Sequence, residues 1–279
     1  MKEEYKEFYK TGATAEEAIM RLIAILKLLR GEDGCPWDRV QTHDSIKKCM
    51  IEEAYEALDA IERNDIENLE EELGDLLLQV VFHAGIAEEN GSFDITSIAN
   101  RVSDKMIRRH PHIFLKENAK TIDKVVEKWE NVKRQERGRL STTDILLEIP
   151  RALPALIRSF KIQEKAADVG FDWEDESGAL LKLDEELGEF IEAYRKGEDK
   201  RRLADEIGDV LFSVVNVARF LGIDPEDALN NTSRKFISRF HYIEQAALGS
   251  DKKLEDMSLD EMDSLWEQAK VSEVTFISE

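Results

Sequence analysis

The stretch MIEEAYEALDAIERNDIENLEEELGDLLLQVVF, residues 50–82, decides how the rest of the chain is read. Its apolar residues recur at steps of three and four, the period of a helix with one buried face, and Asn64 and Asp65 interrupt the pattern once. Two helices joined by so short a break run antiparallel. On the first, Ile46, Met50, Ala57 and Ile61 form the inward stripe. Glu53 falls on that stripe, three residues after Met50 and four before Ala57, with Glu56 one turn on. On the second, Glu72 and Asp75 border the run from Leu73 to Phe82. A carboxylate in such surroundings loses much of its solvation unless it is protonated, paired or metal-bound. Pairs at i and i+3 on two antiparallel helices bring four carboxylates to one spot, where unpaired anions do not coexist without cations. With only oxygen ligands in the motif, Mg²⁺ or Mn²⁺ is expected rather than Zn²⁺, and an ion held this way commonly meets phosphate.

The motif is written twice. Residues 183–215, LDEELGEFIEAYRKGEDKRRLADEIGDVLFSVV, repeat it with Glu186, Glu189, Glu206 and Asp209, Glu186 following Glu53 by 133 residues and Glu206 following Glu72 by 134. A helical unit has been duplicated. The alternative to a metal site is a structural salt-bridge cluster, which the repetition disfavours. Gly74 and Gly208 precede the two aspartates and suit either close helix approach or plain packing. In each half a basic pair at i and i+4 follows, Lys105 with Arg109 and Lys235 with Arg239, and lysine beside a fork-shaped guanidinium is suited to polyphosphate oxygens. Trp129 with Lys133 and Trp266 with Lys270 also recur, the indoles suiting either stacking on a base or capping a core.

The 279 residues are enough for two domains with their own cores, and the periodicity predicts an all-α chain. Thr14 with Glu17 opens a first helix that closes at Gly31, ahead of the corner Cys35-Pro36-Trp37-Asp38; Asn64 with Glu67 is expected to cap the helix of Glu72; Pro111 ends a helix that begins near Ile95. Residues 138–153 mix turn formers with proline and are the expected linker, dividing a domain over 1–137 from one over 154–279. A formal net charge of -21 disfavours nucleic acid as a partner. Two separated cysteines, Cys35 and Cys49, and the lack of a long apolar run predict a cytoplasmic protein with neither signal peptide nor membrane span.

Other chemistries find no support. His43-Asp44 resembles the doublet of histidine-aspartate phosphohydrolases, but no histidine precedes it to complete that site. Di-iron carboxylate bundles need Glu-x-x-His, whereas Glu53 and Glu186 are followed at i+3 by Glu. His110 and His112 flank Pro111 and read as local structure, and there is no Walker loop, G-x-S-x-G or Rossmann glycine pattern.

Taken together with GCPWD at 34–38, DKMIRRHPHIF at 104–114, PALIRSFKIQEKAADVGFDW at 154–173 and the late tryptophan, the acidic motif resembles the MazG-type nucleoside triphosphate pyrophosphohydrolases of the all-alpha NTP pyrophosphatase superfamily. The resemblance covers nearly the whole chain. It implies tandem four-helix-bundle-like modules that form a homodimer and hydrolyse NTPs or dNTPs, with Mg²⁺, to the monophosphate and pyrophosphate. It implies metal ligation by Glu53, Glu56, Glu72 and Asp75 in the first half and by Glu186, Glu189, Glu206 and Asp209 in the second. Lys182, Lys235 and Arg239 resemble the family's triphosphate contacts and Trp266 its base contact, with Lys105, Arg109 and Trp129 as the first-half counterparts. Glu185 is the candidate acceptor for the proton of the attacking water, or else a group supporting the ligands from behind. Cys49 stands where the second half has Lys182, so the second site is expected to be the active one. The alternative from another class is a helical regulatory or partner-binding protein whose nucleotide or metal site does not turn over.

Overall fold

The computed structural model describes residues 3–115, 121, 124–125, 129, 132, 141–250 and 252–276. Helices and no strands occur among them, in two compact units, Met1–Arg137 and Gly138–Glu279.

In the first unit α1 (Ala15–Arg30) begins at Thr14, whose Oγ1 accepts from Glu17 N at 3.2 Å, and closes at Gly31. Gly34 brings the chain back so tightly that a Cβ there would lie 2.3 Å from the carbonyl oxygens of Leu28 and Leu29, so only glycine fits. The corner continues into the short α2 (Pro36–Arg39). Buried Arg30 fixes this arrangement, donating from Nε and Nη2 to the Glu89 carboxylate at 2.7 Å each and from Nη1 to the Asp38 carbonyl at 2.6 Å.

Next comes a hairpin of α3 (His43–Glu62) and α4 (Ile66–Glu89). Asp65, not Asn64, caps α4, accepting from Asn68 N at 3.1 Å, while Asn64 takes a φ of 53°. Both residues are good caps; asparagine's tolerance of the left-handed region gives it the turn and leaves the cap to its neighbour. Leu26, Ile46, Val81, Phe82 and Ile86 form the core, each worth roughly 1.5–3 kcal/mol when fully buried. The expected stripe on α3 needs one correction: Ala60 is fully buried and Ile61 is 54% exposed. The inward positions run 46, 50, 53, 57 and 60, and Ile61 instead continues a second, outward stripe of Ile51, Tyr55 and Leu58. After Gly91 (φ 66°) come α5 (Ile95–Arg109) and, beyond a break at His110, α6 (Pro111–Phe114).

The second unit repeats the order. Within the stretch expected to be a linker, Ser141 and Asp144 form a reciprocal capping box for α7 (Thr142–Leu147), which packs on α8 (Ala155–Ala167). The second hairpin is α9 (Glu176–Lys196) and α10 (Lys200–Phe220), joined through Gly197 in the left-handed region (φ 72°) and Asp199, which accepts from Arg201 N and Arg202 N at 2.9 Å. Then α11 (Pro225–Gly249) runs unbroken and α12 (Leu259–Phe276) packs against it. Among the described residues α1, α3, α4 and α5 of the first unit follow one another as α8, α9, α10 and α11 do in the second, as the duplication requires, and the second unit adds α12.

Candidate metal centre

Because each hairpin is antiparallel, residues near the middle of its two helices face one another. In the first unit one carboxylate oxygen each of Glu53, Glu56 and Glu72 lies within 4.8 Å of the others, and in the second unit the same holds for Glu186, Glu206 and Asp209. The fourth expected members stand outside these groupings, Asp75 in the first unit and the exposed Glu189 in the second. Asp75 still faces Glu53, whose pKa is raised above its ordinary value by burial first and then by the charges of Asp75, Glu56 and Glu52. Glu72, itself buried, is raised by desolvation and by Glu56. Among the described residues no cation pairs with this first cluster, so protons or a metal ion must balance it.

The second cluster is balanced differently. Lys182 Nζ lies 2.7 Å from Glu186 and 3.0 Å from Glu185, and its pKa is raised by those hydrogen bonds, Glu186 contributing most. Arg202 Nη2 pairs with Oε1 of Glu206. Glu206 is only 1% exposed, and apart from that ion pair neither of its carboxylate oxygens has a hydrogen-bond partner among the described residues. A buried carboxylate oxygen with nothing to accept from is the donor a hard divalent ion takes, and the all-oxygen set fits such an ion. Arg202 was not singled out from sequence, although its place four residues before Glu206 was the available signal. Gly74 and Gly208 do not bring helices together: a Cβ at either would meet nothing within 4 Å.

Further along, Arg239 lies over the Trp266 ring at 5.4 Å, and Arg109 lies over Trp129 at 5.8 Å. The arginine of each basic pair and the tryptophan of its unit are therefore in contact, a link the separate motifs did not reveal. Lys105 and Arg109 are half-buried, as are Arg239 and Trp266, while Lys235 is exposed. Lys133 lies outside the described residues. Around Trp266 the rings of Phe236 (5.1 Å) and Phe240 help enclose a cavity of about 220 Å³, with Ile243, Leu259, Met262 and Asp263. Elsewhere in the first unit His43 and His83 bring their Nδ1 atoms to 2.7 Å with stacked rings, so His43 closes the start of α3 onto α4.

Paired acidic helices, each pair carrying an oxygen-only cluster suited to a hard metal ion, define a carboxylate-rich class of all-helical protein. The model of the MazG nucleotide pyrophosphohydrolase domain matches residues 41–114 and again 175–243, once in each unit. The chain is 44% identical over 254 residues, 91% of its length and 96% of the relative's, to a Thermotoga maritima protein named nucleoside triphosphate pyrophosphohydrolase/pyrophosphatase MazG. An Escherichia coli K12 protein named nucleoside triphosphate pyrophosphohydrolase is 43% identical over 92% of this chain and 98% of its own. A Bacillus subtilis protein, YabN, of uncharacterized function, is 47% identical over 90% of this chain and 51% of its own length. The chain belongs to the MazG nucleotide pyrophosphohydrolase family.

Proposed function

We propose that this enzyme hydrolyses nucleoside triphosphates, ribose or deoxyribose, to the monophosphate and pyrophosphate, with the second unit as the working site. The observation that carries this reading is the cluster of Glu186, Glu206 and Asp209 with a lysine and an arginine already against it, in the unit that also holds Lys235, Arg239 and the aromatic cavity. The names of the Thermotoga and Escherichia relatives support the same reaction.

Glu186, Glu206 and Asp209, joined by Glu189, would hold Mg²⁺ or Mn²⁺. When bound, such an ion lowers the pKa of a coordinated water and neutralises phosphate charge. Lys182, Lys235 and Arg239 hold the triphosphate and offset charge on its bridging and leaving oxygens. Glu185, oriented by Lys182, takes the proton of the attacking water. Trp266, Phe236 and Phe240 receive the base. In the first unit Glu53, Glu56, Glu72 and Asp75, with Lys105, Arg109 and Trp129, repeat the scaffold without a lysine at position 49, and there we assign binding without turnover.

The active form is a homodimer in the cytoplasm, with no nucleic-acid or membrane partner. Each hairpin leaves apolar residues outward at helical spacing, Leu187, Ile191 and Tyr194 on α9 and Ile207, Leu211 and Val214 on α10, and a second copy is the occupant such stripes fit. No helix of the described residues is long and apolar enough to cross a membrane. The reaction is tested by incubating the chain with each NTP and Mg²⁺: monophosphate and pyrophosphate are expected, and release of inorganic phosphate and diphosphate alone would exclude it. Glu189→Ala is expected to cost activity and Glu56→Ala to leave most of it, whereas a non-catalytic binding protein has none to lose.

A further inference from the structure

We propose that His43 and His83 of the first unit form a metal site separate from the acidic cluster, one that takes a late first-row divalent ion such as Zn²⁺ through the Nδ1 atoms of both rings. His43 precedes Glu53 by ten residues and His83 follows Glu72 by eleven, about 15 Å along each helix.

The two rings come from opposite helices, His43 from the first turn of α3 and His83 from α4, with their planes 5° apart and their Nδ1 atoms 2.7 Å apart. Two neutral imidazoles in this position share one hydrogen between two lone pairs. Moving that hydrogen to Nε2 of the same ring frees both Nδ1 atoms to face one ion, with no net change in protonation. Zinc holds imidazole nitrogens at about 2.0–2.1 Å, which sets two neighbouring ligands roughly 3.0–3.4 Å apart, so the pair has to open by less than about 1 Å. His43 is exposed and has room to turn. Burial, then the charge of His43, lowers the pKa of His83 and favours the neutral form that ligates.

The surroundings of the pair suit an ion. Gln79 stands one turn before His83 on the same face of α4 and is 9% exposed, and its Oε1 is buried with no hydrogen-bond partner among the described residues. A water on the metal has a hydrogen to donate, and this acceptor is placed to receive it. The nearby side chains at the start of α3 are already engaged: Asp44 pairs with Lys47 at 2.5 Å, and Gln41 Oε1 accepts from Ser45 Oγ at 2.7 Å. Imidazole nitrogens suit zinc, nickel and copper, whereas the all-oxygen clusters suit harder ions, so the two kinds of site sort metals by chemistry. At the offsets that relate Glu53 to Glu186 and Glu72 to Glu206, the second unit has Glu176 for His43, Val217 for His83 and Ser213 for Gln79. The site belongs to the first unit alone.

The test uses the full chain in saturating Mg²⁺, which keeps the acidic clusters occupied, with helicity of each variant checked by circular dichroism. Calorimetric titration with Zn²⁺ is expected to show binding that weakens by about tenfold or more in His43→Gln and in His83→Gln and by about tenfold in Gln79→Leu, while His110→Gln leaves it unchanged. With one equivalent of Cu²⁺, electron paramagnetic resonance is expected to show hyperfine coupling to two nitrogens, reduced in either histidine-pair variant. Should His83→Gln disturb α4, His43→Gln at the exposed helix start carries the test by itself. Zn²⁺ binding that neither histidine-pair variant weakens, or no Zn²⁺ binding at all, overturns the site and leaves the pair a hydrogen bond between two helices. Unchanged affinity in Gln79→Leu overturns the part given to that residue.

Discussion

Lys182 and Glu186 face one another a single turn apart on α9, Nζ 2.7 Å from the carboxylate, and the position that repeats Lys182 in the first unit is Cys49. Hydrogen bonds that Lys182 donates to Glu186 and then Glu185 raise the lysine's pKa, so it is charged at neutral pH. Under the proposed function, a fixed positive charge beside the cluster would serve a polyphosphate without any proton transfer.

Replacing Lys182 by Ala is expected to lower kcat/KM for NTP hydrolysis about a hundredfold, while Cys49→Ala leaves it unchanged. Pyrophosphate release in steady state measures both. Equal losses in the two variants would mean that the first unit shares the chemistry.

Burying the Glu206 carboxylate costs stability. With both buried oxygens lacking a hydrogen-bond partner among the described residues, Glu206→Gln is expected to raise the metal-free Tm by ~3 °C, about 1 kcal/mol for a chain of this size, and to abolish turnover. Arg202 loses little by the change, because it rehydrates at the surface. Differential scanning calorimetry in EDTA gives the first number, and a drop in Tm would contradict it.

In the first cluster the folded chain holds protons on Glu53 and Glu72 more tightly than the unfolded chain does. Their contribution is therefore fully present below the ordinary glutamate value of 4.5 and is lost as pH rises through the raised pKa values. In EDTA, a scan from pH 4.5 upward is expected to show this loss, and Mn²⁺ to reverse it. Glu53→Gln with Glu72→Gln should remove both the pH dependence and the metal response of this unit.

The His43–His83 contact works in the opposite sense. Burial, then the charge of His43, lowers the pKa of His83, so the unfolded chain binds its proton more readily. Stability from this contact is present above the ordinary value of 6.5 and is lost as pH falls through the lowered one, with a slope of at most ~1.4 kcal/mol per pH unit for one proton. Urea titrations at pH 7.5 and 5.5 are expected to differ for the native chain, and His83→Gln to narrow the difference.

Leu211→Glu places a charge on the outward stripe of α10. Sedimentation equilibrium is expected to show the dimer replaced by a folded monomer. A variant that still dimerises would move the interface elsewhere.

Much of this was legible in the sequence because it depends on period. The helix order, the two hairpins and Glu53, Glu72, Glu186 and Glu206 as a class follow from spacing along single helices. What depends on choosing between neighbours was not: Asn64 and Asp65 both cap well, and only the φ of the turn assigns their roles. Ile61 could extend either of two apolar stripes, and the i+3 step from Ala57 to Ala60 settles which faces inward. Contacts between helices were out of reach as well. Nothing in the spacing brings His83 to His43, and it took the folded chain to show that Arg109 belongs with Trp129 and Arg239 with Trp266.

The break at His110 and Pro111 separates the fates of the two copies. In the second unit α11 runs on through Ile243, which is 3% exposed and forms a wall of the aromatic cavity; its counterpart Ile113, past the break, is 66% exposed. Here a single proline sets the first copy apart at the place where the second builds its aromatic cavity, while the acidic residues of both copies persist.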